Sequence, residues 1–139
     1  MSGLSQTEYK FKEAFDIIQQ RIHDSVVEKG FWEDAETALD VDSPDSTVDH
    51  SKEYQAIQKF IVGQKIALIH SEVSEALEGS RKDLMDDHLP SRSMLEVELA
   101  DTVIRIMDLA QWLGLDLSGA ILEKFSYNQS RPYKHGKQF

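Results

Sequence analysis

The sequence of 139 residues contains no cysteine, three prolines and no apolar run near the roughly 20 residues that a membrane-spanning helix needs. Without cysteine, disulfides and thiolate metal ligands are excluded. The start of the chain has no apolar segment typical of a secretion signal, so we expect a cytoplasmic protein with no membrane partner. Strand-like alternation is missing, and so is the phosphate loop GxxxxGK[ST], which excludes a P-loop nucleotidase.

Positive charges are fewer than negative ones, since 15 Lys and Arg face 25 Asp and Glu, and the net charge of −10 is unevenly distributed. Residues 124–139 contain Lys124, Arg131, Lys134 and Lys137 and no acidic residue, so the rest of the chain is strongly acidic. Such a body disfavours binding to a nucleic-acid polymer, which selects a basic surface. The basic tail is either a solvated terminus or a grip for a small polyphosphate.

Helical spacing of apolar residues predicts one all-α domain over residues 1–139, a bundle of four or five helices. The first helix is expected over 5–29 with Gly30 ending it, and the Asp-, Ser- and Thr-rich segment that follows reads as a loop. A second helix is expected over 53–78, broken by Gly79. Its predicted core stripe is Val62, Ile66, Ile69, Val73 and Leu77. A third is expected over 93–113, ending at Gly114, and a fourth runs to Gln129 from a cap at Asp116 or Ser118.

The third predicted helix is apolar on most of its circumference, which is typical of a buried helix. Four of its charged residues form a single stripe, which is either the one exposed edge or a polar seam inside the bundle: Glu98, Asp101, Arg105 and Asp108. So much apolar surface in a small chain also predicts a homo-oligomer.

Two helices each offer a pair of acids three residues apart, Glu72 with Glu75 and Glu98 with Asp101. Like charges one turn apart repel each other and destabilise the helix. Each pair alone therefore indicates either a face exposed to water or a repulsion that another group must offset. If the two helices pack antiparallel, four carboxylates converge and need a cation to stay ionised. Oxygen-only ligands suit Mg²⁺, with Mn²⁺ as a substitute. A di-iron bundle is excluded because none of the five histidines has an acid three residues before it.

The segments "KIALIHSEVSEALEGSRKD" and "EVELADTVIRIMDLAQWLGLDLSGAILEKFSYNQSRPYKHGKQF" resemble the MazG-like all-α nucleoside triphosphate pyrophosphohydrolases over residues 60–139. This resemblance implies hydrolysis of a nucleoside triphosphate to the monophosphate and pyrophosphate, with a dimer or tetramer as the assembly. It makes the four paired acids the catalytic metal ligands. It places phosphate-holding groups at Lys124, Asn128, Arg131 and Lys134.

One position departs from the family pattern. Many members begin the first motif with a doubled acid, whose first glutamate is a candidate general base, and here that position is Ser71. A serine hydroxyl is not a base at neutral pH, so the identity of the base stays open. Phe31 and Trp32 are candidates for stacking on the nucleobase, or they cover the end of the bundle.

The preferred nucleotide is not fixed by these residues, although nucleotide-pool control favours a deoxynucleotide such as dGTP. Three alternatives remain: a pyrimidine-specific enzyme like the dimeric dUTPases, a catalytically inactive relative that binds nucleotides, and an acidic bundle that binds a partner protein.

Overall fold

The computed structural model describes residues 4–40 and 51–132, and within them the chain forms five helices and no sheet. The helices are α1 (Gln6–Glu28), α2 (Glu33–Leu39), α3 (Ser51–Lys82), α4 (Met94–Trp112) and α5 (Leu117–Gln129). The all-α prediction is confirmed. A single bridge between Met85 and Ser93 closes the turn between α3 and α4.

The helix ends follow the signals in the sequence. Ser5 and Glu8 form a capping box at the start of α1, with the Ser5 N–H donating to Glu8 Oε2 at 2.8 Å. Asp116 Oδ1 accepts from the Gly119 N–H at 3.0 Å and caps α5. Gly30 and Gly114 adopt φ values of +78° and +65°, the left-handed conformation that ends helices. The stops at Gly30 and Gly114 and the cap at Asp116 were predicted correctly, whereas the capping box at Ser5 was not predicted.

Two predictions about helix boundaries were wrong. The expected loop after Gly30 contains the short helix α2, whose first turn carries three acids that interact favourably with a helix N-terminus. Helix α3 passes through Gly79 and ends at Lys82, before Asp83 with φ +52°. Gly79 permits close packing there, because a Cβ atom at this position would lie 2.8 Å from Met94 Cβ.

The two long helices α3 and α4 pack against each other as an antiparallel hairpin. Gly79 lies beside Met94 at one end, while Ile61 and Leu109 share the hydrophobic core at the other. Helix α1 packs mainly on α4, α5 packs on α1, and α2 packs on α3. The core at the α1–α2 end is centred on Trp32, which is 1% exposed.

The buried face of α3 differs from the predicted one. Ile66, Val73 and Leu77 of the predicted core stripe are 44%, 47% and 61% exposed. Of the other two, Ile69 packs against the hydrophobic core as predicted and Val62 is half-buried. The buried positions of α3 are Ile61, Glu72, Ala76 and Gly79. Arg105 of α4 pairs with Glu72 of α3 across the hairpin, while several apolar residues of both helices lie on the surface.

Within the described ranges, no helix is both long and apolar enough to cross a membrane.

Candidate functional site

Three carboxylates meet between α3 and α4. Glu72 and Glu98 are only 6% and 8% exposed, and Asp101 is half-buried. One oxygen from each lies within 4.8 Å of the others. We call these three residues the acidic cluster. The fourth predicted ligand, Glu75, is exposed and lies outside this cluster.

Two carboxylates of the acidic cluster, Glu98 and Asp101, have raised pKa values. Burial, a hydrogen bond with Glu72 and repulsion by nearby carboxylates raise the pKa of Glu98 to about 7. Burial and the charge of Glu72 also raise the pKa of Asp101, while Arg105 opposes this shift. The charge of Glu75 contributes to the shift at Glu98, so Glu75 is electrically near the cluster. The cluster therefore needs a proton or a cation at neutral pH.

Arg105 provides one partial compensation. Its Nε donates to Glu72 Oε1 at 2.5 Å, across the hairpin. The charged stripe of α4 is therefore a polar seam rather than an exposed edge, and the structure decides between those two alternatives. Thr102, one residue after Asp101, directs its hydroxyl to the Glu98 carbonyl at 2.8 Å, within α4.

A buried carboxylate, Asp86, lies in the turn that follows α3, and its charge raises the pKa of Asp101. Its Oδ1 accepts from the backbone N–H groups of His88 and Leu89 at 2.9 and 2.5 Å. This side chain therefore holds the turn together beside the acidic cluster, and it had not been singled out from the sequence.

A cavity of about 400 Å³ adjoins the acidic cluster and shares Asp101 with it. This volume lies in the range of about 300–1,000 Å³ that small-molecule sites occupy. Its wall combines apolar residues with charged ones: Val26, Phe31, Asp34, Ala35, Gln64, Lys65, Leu68, Asp101, Ile104, Arg105 and Asp108. The combination of apolar surface and a few charges is typical of a pocket for a polar organic ligand.

The two candidate stacking residues have different environments. Phe31 lines the cavity and is 72% exposed, so its ring is available to a ligand. Trp32 stacks on Trp112 at a centroid distance of 4.8 Å and carries the Lys65 ammonium 3.8 Å from its ring centre. Both contacts and the burial of Trp32 make it part of the core, contrary to the expectation that it stacks on a base.

A network of polar groups connects this core to the cavity. Trp32 Nε1 donates to Asp108 Oδ1 at 3.0 Å, and His23 Nδ1 lies 2.7 Å from the same oxygen. Asp108 is 6% exposed and reaches the cavity wall. Sequence reasoning placed Asp108 on the α4 stripe but found neither its partners nor Lys65. The available signal was that Lys65 and Glu72 lie seven residues apart, on one face of α3.

The predicted phosphate-binding residues that the structure describes lie away from the cavity. Lys124 and Asn128 are exposed on α5, Arg131 is exposed just after it, and none of them lines the cavity. Lys124 Nζ and Arg131 Cζ are 4.7 and 5.9 Å from the centre of the Tyr127 ring. Lys134 lies outside the described residues. The cations that border the cavity are instead Lys65 and Arg105.

Ser71, at the position of the doubled acid, directs its hydroxyl to its own helix. Its Oγ donates to the Leu68 carbonyl at 2.7 Å. This hydrogen bond satisfies the hydroxyl within α3 and gives Ser71 no contact with the acidic cluster.

Comparison of the chain with protein-family models, with curated proteins and with solved structures gives no match.

Proposed function

We propose that this protein is a Mg²⁺-dependent nucleoside triphosphate pyrophosphohydrolase, which converts a nucleoside triphosphate and water to the monophosphate and pyrophosphate. The observation that carries the proposal is the acidic cluster, in which two carboxylates are buried and a third borders a cavity of ligand size. The resemblance of both acid motifs to the MazG-like enzymes supports the same activity.

The chemistry of the acidic cluster fits a hard divalent cation. Carboxylate oxygens suit Mg²⁺ or Mn²⁺, and the raised pKa of Glu98 is the effect expected of ligands that face one another without a cation. Glu72, Glu98 and Asp101 would hold the ion, and Glu75 lies close enough for its charge to act on Glu98. Such an ion neutralises phosphate charge and lowers the pKa of a bound water.

Different side chains near the acidic cluster would bind different parts of a nucleotide. Arg105, beside Glu72, presents a guanidinium to phosphate oxygens. Phe31 offers an exposed ring to the flat face of a base. Phosphoryl transfer depends chiefly on such positioning and charge neutralisation. Lys124, Asn128, Arg131 and Lys134 would contribute only if the tail reaches a site, for instance that of a neighbouring subunit.

We also propose a homodimer or homotetramer, because apolar side chains of α3 and α4 are left on the surface of a single chain. An enzyme of this kind would act on the nucleotide pool of the cytoplasm, and deoxynucleotides such as dGTP are the first substrates to test.

A pyrophosphate-release assay tests the activity against all common ribo- and deoxynucleoside triphosphates, with Mg²⁺ and with a chelator. We expect Mg²⁺-dependent release, and a loss of at least about 100-fold in Glu98→Gln and Asp101→Asn, because charged ligands are removed. The matched control is Glu96→Gln, since Glu96 lies on the same helix, is exposed and pairs with Arg92. Full activity in either ligand variant would contradict the assignment of the site.

A second candidate is a protein that binds nucleotides without hydrolysing them. The observation in its favour is Ser71, which stands where a general base is expected and is hydrogen-bonded to its own helix. Calorimetric titration with Mg²⁺ and a nucleotide separates the two, since binding without turnover supports this candidate. Preferential turnover of dUTP supports the dUTPase-like alternative, and no binding of metal or nucleotide supports a partner-binding bundle.

A further inference from the structure

Among the described residues, Lys65 is the only lysine that lines the cavity, and its ammonium is held in a defined position. Its Nζ donates to the Phe31 carbonyl at 3.1 Å and lies 3.8 Å from the centre of the Trp32 ring. An ammonium has three N–H donors and no acceptor, so these contacts leave donor capacity for a ligand in the cavity. Burial lowers the pKa of Lys65, while the charge of Asp108 opposes this effect.

Lys65 and Asp101 of the acidic cluster line the same cavity. Lys65 precedes Glu72 by seven residues on one face of α3, which places them about 10 Å apart along the helix axis. A nucleotide with its phosphates at the acidic cluster therefore extends its base toward Lys65 and Phe31.

Lys65 is better placed than the neighbouring polar groups of the cavity wall to contact the edge of a base. Asp108 already accepts from Trp32 and contacts His23. Asp34 and Gln64 line the cavity but are exposed, so water competes for their hydrogen bonds.

We propose that Lys65 selects the base, favouring a carbonyl oxygen at position 6 of a purine or position 4 of a pyrimidine, as in guanine, hypoxanthine, uracil and thymine, over the amino group that adenine and cytosine carry there. Lysine donates to guanine O6 and N7 in the same manner when proteins read DNA. An amino group at that position would instead set a donor against the ammonium and leave both unsatisfied. This inference rests on the proposed function, because it takes the phosphates to lie at the acidic cluster.

Inosine and adenosine triphosphates provide a direct test, because they differ at position 6 of the purine and in the adjoining N1 proton. The wild-type protein is expected to show a kcat/KM about 10-fold or more higher for inosine triphosphate. In Lys65→Met the ratio between the two substrates should fall to within about 2-fold. Lys59→Met is the matched control, since Lys59 is exposed on the same helix outside this cavity, and it should keep the wild-type ratio.

Binding of the free nucleosides inosine and adenosine, measured by NMR titration with a chelator present, tests the inference without turnover. A preference for binding inosine that is lost in Lys65→Met supports the role of Lys65, whether or not a triphosphate is hydrolysed. If that preference is found but no triphosphate is hydrolysed, only the proposed activity is overturned. Hydrolysis with no preference between the bases overturns the role of Lys65 alone. Equal losses for both substrates in Lys65→Met also overturn it, because Lys65 would then only fix the Phe31–Trp32 turn. Absence of any nucleoside or nucleotide binding overturns both.

Discussion

At the scale of single residues, Trp32 connects the core to the cavity. One ring face stacks on Trp112, and the indole N–H donates to Asp108, whose carboxylate reaches the cavity wall. The sequence alone marked Trp32 as an aromatic at the end of a helix. Its burial could not be predicted, because it depends on α2 folding back against α3.

Trp32→Phe should destabilise the protein by about 1–3 kcal/mol, because the buried carboxylate of Asp108 loses a donor. Urea unfolding followed by circular dichroism measures the change. Trp112→Phe is the control, since Trp112 makes the ring contact but donates no indole hydrogen bond to the described residues, and it should cost less. Equal losses in the two variants would show that the hydrogen bond to Asp108 adds nothing.

The acidic cluster makes the metal-free protein less stable as pH rises. The pKa of Glu98 is about 7 in the fold against an ordinary value of 4.5, so the folded state holds its proton more tightly than the unfolded state. Stability from this group is complete below about pH 4.5 and is lost as pH rises to 7. With a chelator present, Glu98→Gln should therefore be more stable than the wild type at pH 8, by roughly 1–2 kcal/mol after allowance for solvent screening.

Urea unfolding of both proteins at pH 5 and pH 8 measures this effect. If the stability difference between Glu98→Gln and the wild type were the same at the two pH values, burial and the neighbouring carboxylates would not raise the pKa of Glu98 in the fold.

At the scale of elements, the ends of α1 and α4 and the cap of α5 were predictable from the sequence, while the helix α2, the end of α3 and the buried face of α3 were not. Ser5, Asp116, Gly30 and Gly114 act through local backbone geometry, which a sequence contains in full. The buried face of α3 was predicted wrongly, because apolar periodicity marks the face that avoids water without saying what covers it. Glu72, Glu98 and Asp101 still meet despite this error, because α3 and α4 pack antiparallel, whereas Glu75, the fourth predicted ligand, lies outside the acidic cluster.

Gly79 and Gly63 lie on the same helix and test the close contact between α3 and α4. Gly79→Ala should destabilise the protein by about 1–3 kcal/mol, because its Cβ would clash with Met94. Gly63→Ala should stabilise it by about 0.5–1 kcal/mol, because no atom of the described residues lies within 4 Å of the added Cβ and alanine favours the helix. Thermal unfolding gives both signs, and a stabilising Gly79→Ala would contradict the packing.

At the scale of the whole molecule, charged groups are buried and apolar groups are exposed on the same two helices. On α4, Leu99 and Val103 are 49% and 50% exposed, while Glu98 and Asp108 are buried. On α3, Leu77 is 61% exposed while Glu72 is buried. A second copy that covers the apolar side would account for both helices and leave the acidic cluster between α3 and α4.

Val103→Glu is expected to shift the protein to monomers, because a charge placed in an apolar interface is desolvated without a partner. Sedimentation equilibrium of the wild type and the variant measures the mass. Val27→Glu, on α1, is the control and should keep the wild-type assembly. A wild-type mass of 15.9 kDa, that of one chain, would contradict the proposed oligomer.

The central claim is that the acidic cluster serves hydrolysis between the α- and β-phosphates, and ³¹P NMR of the reaction products tests it most directly. With Mg²⁺ and a nucleoside triphosphate, the account predicts signals of the nucleoside monophosphate and pyrophosphate in equal amounts, absent in Asp101→Asn. Appearance of the nucleoside diphosphate with orthophosphate, or no change for any triphosphate, would contradict it.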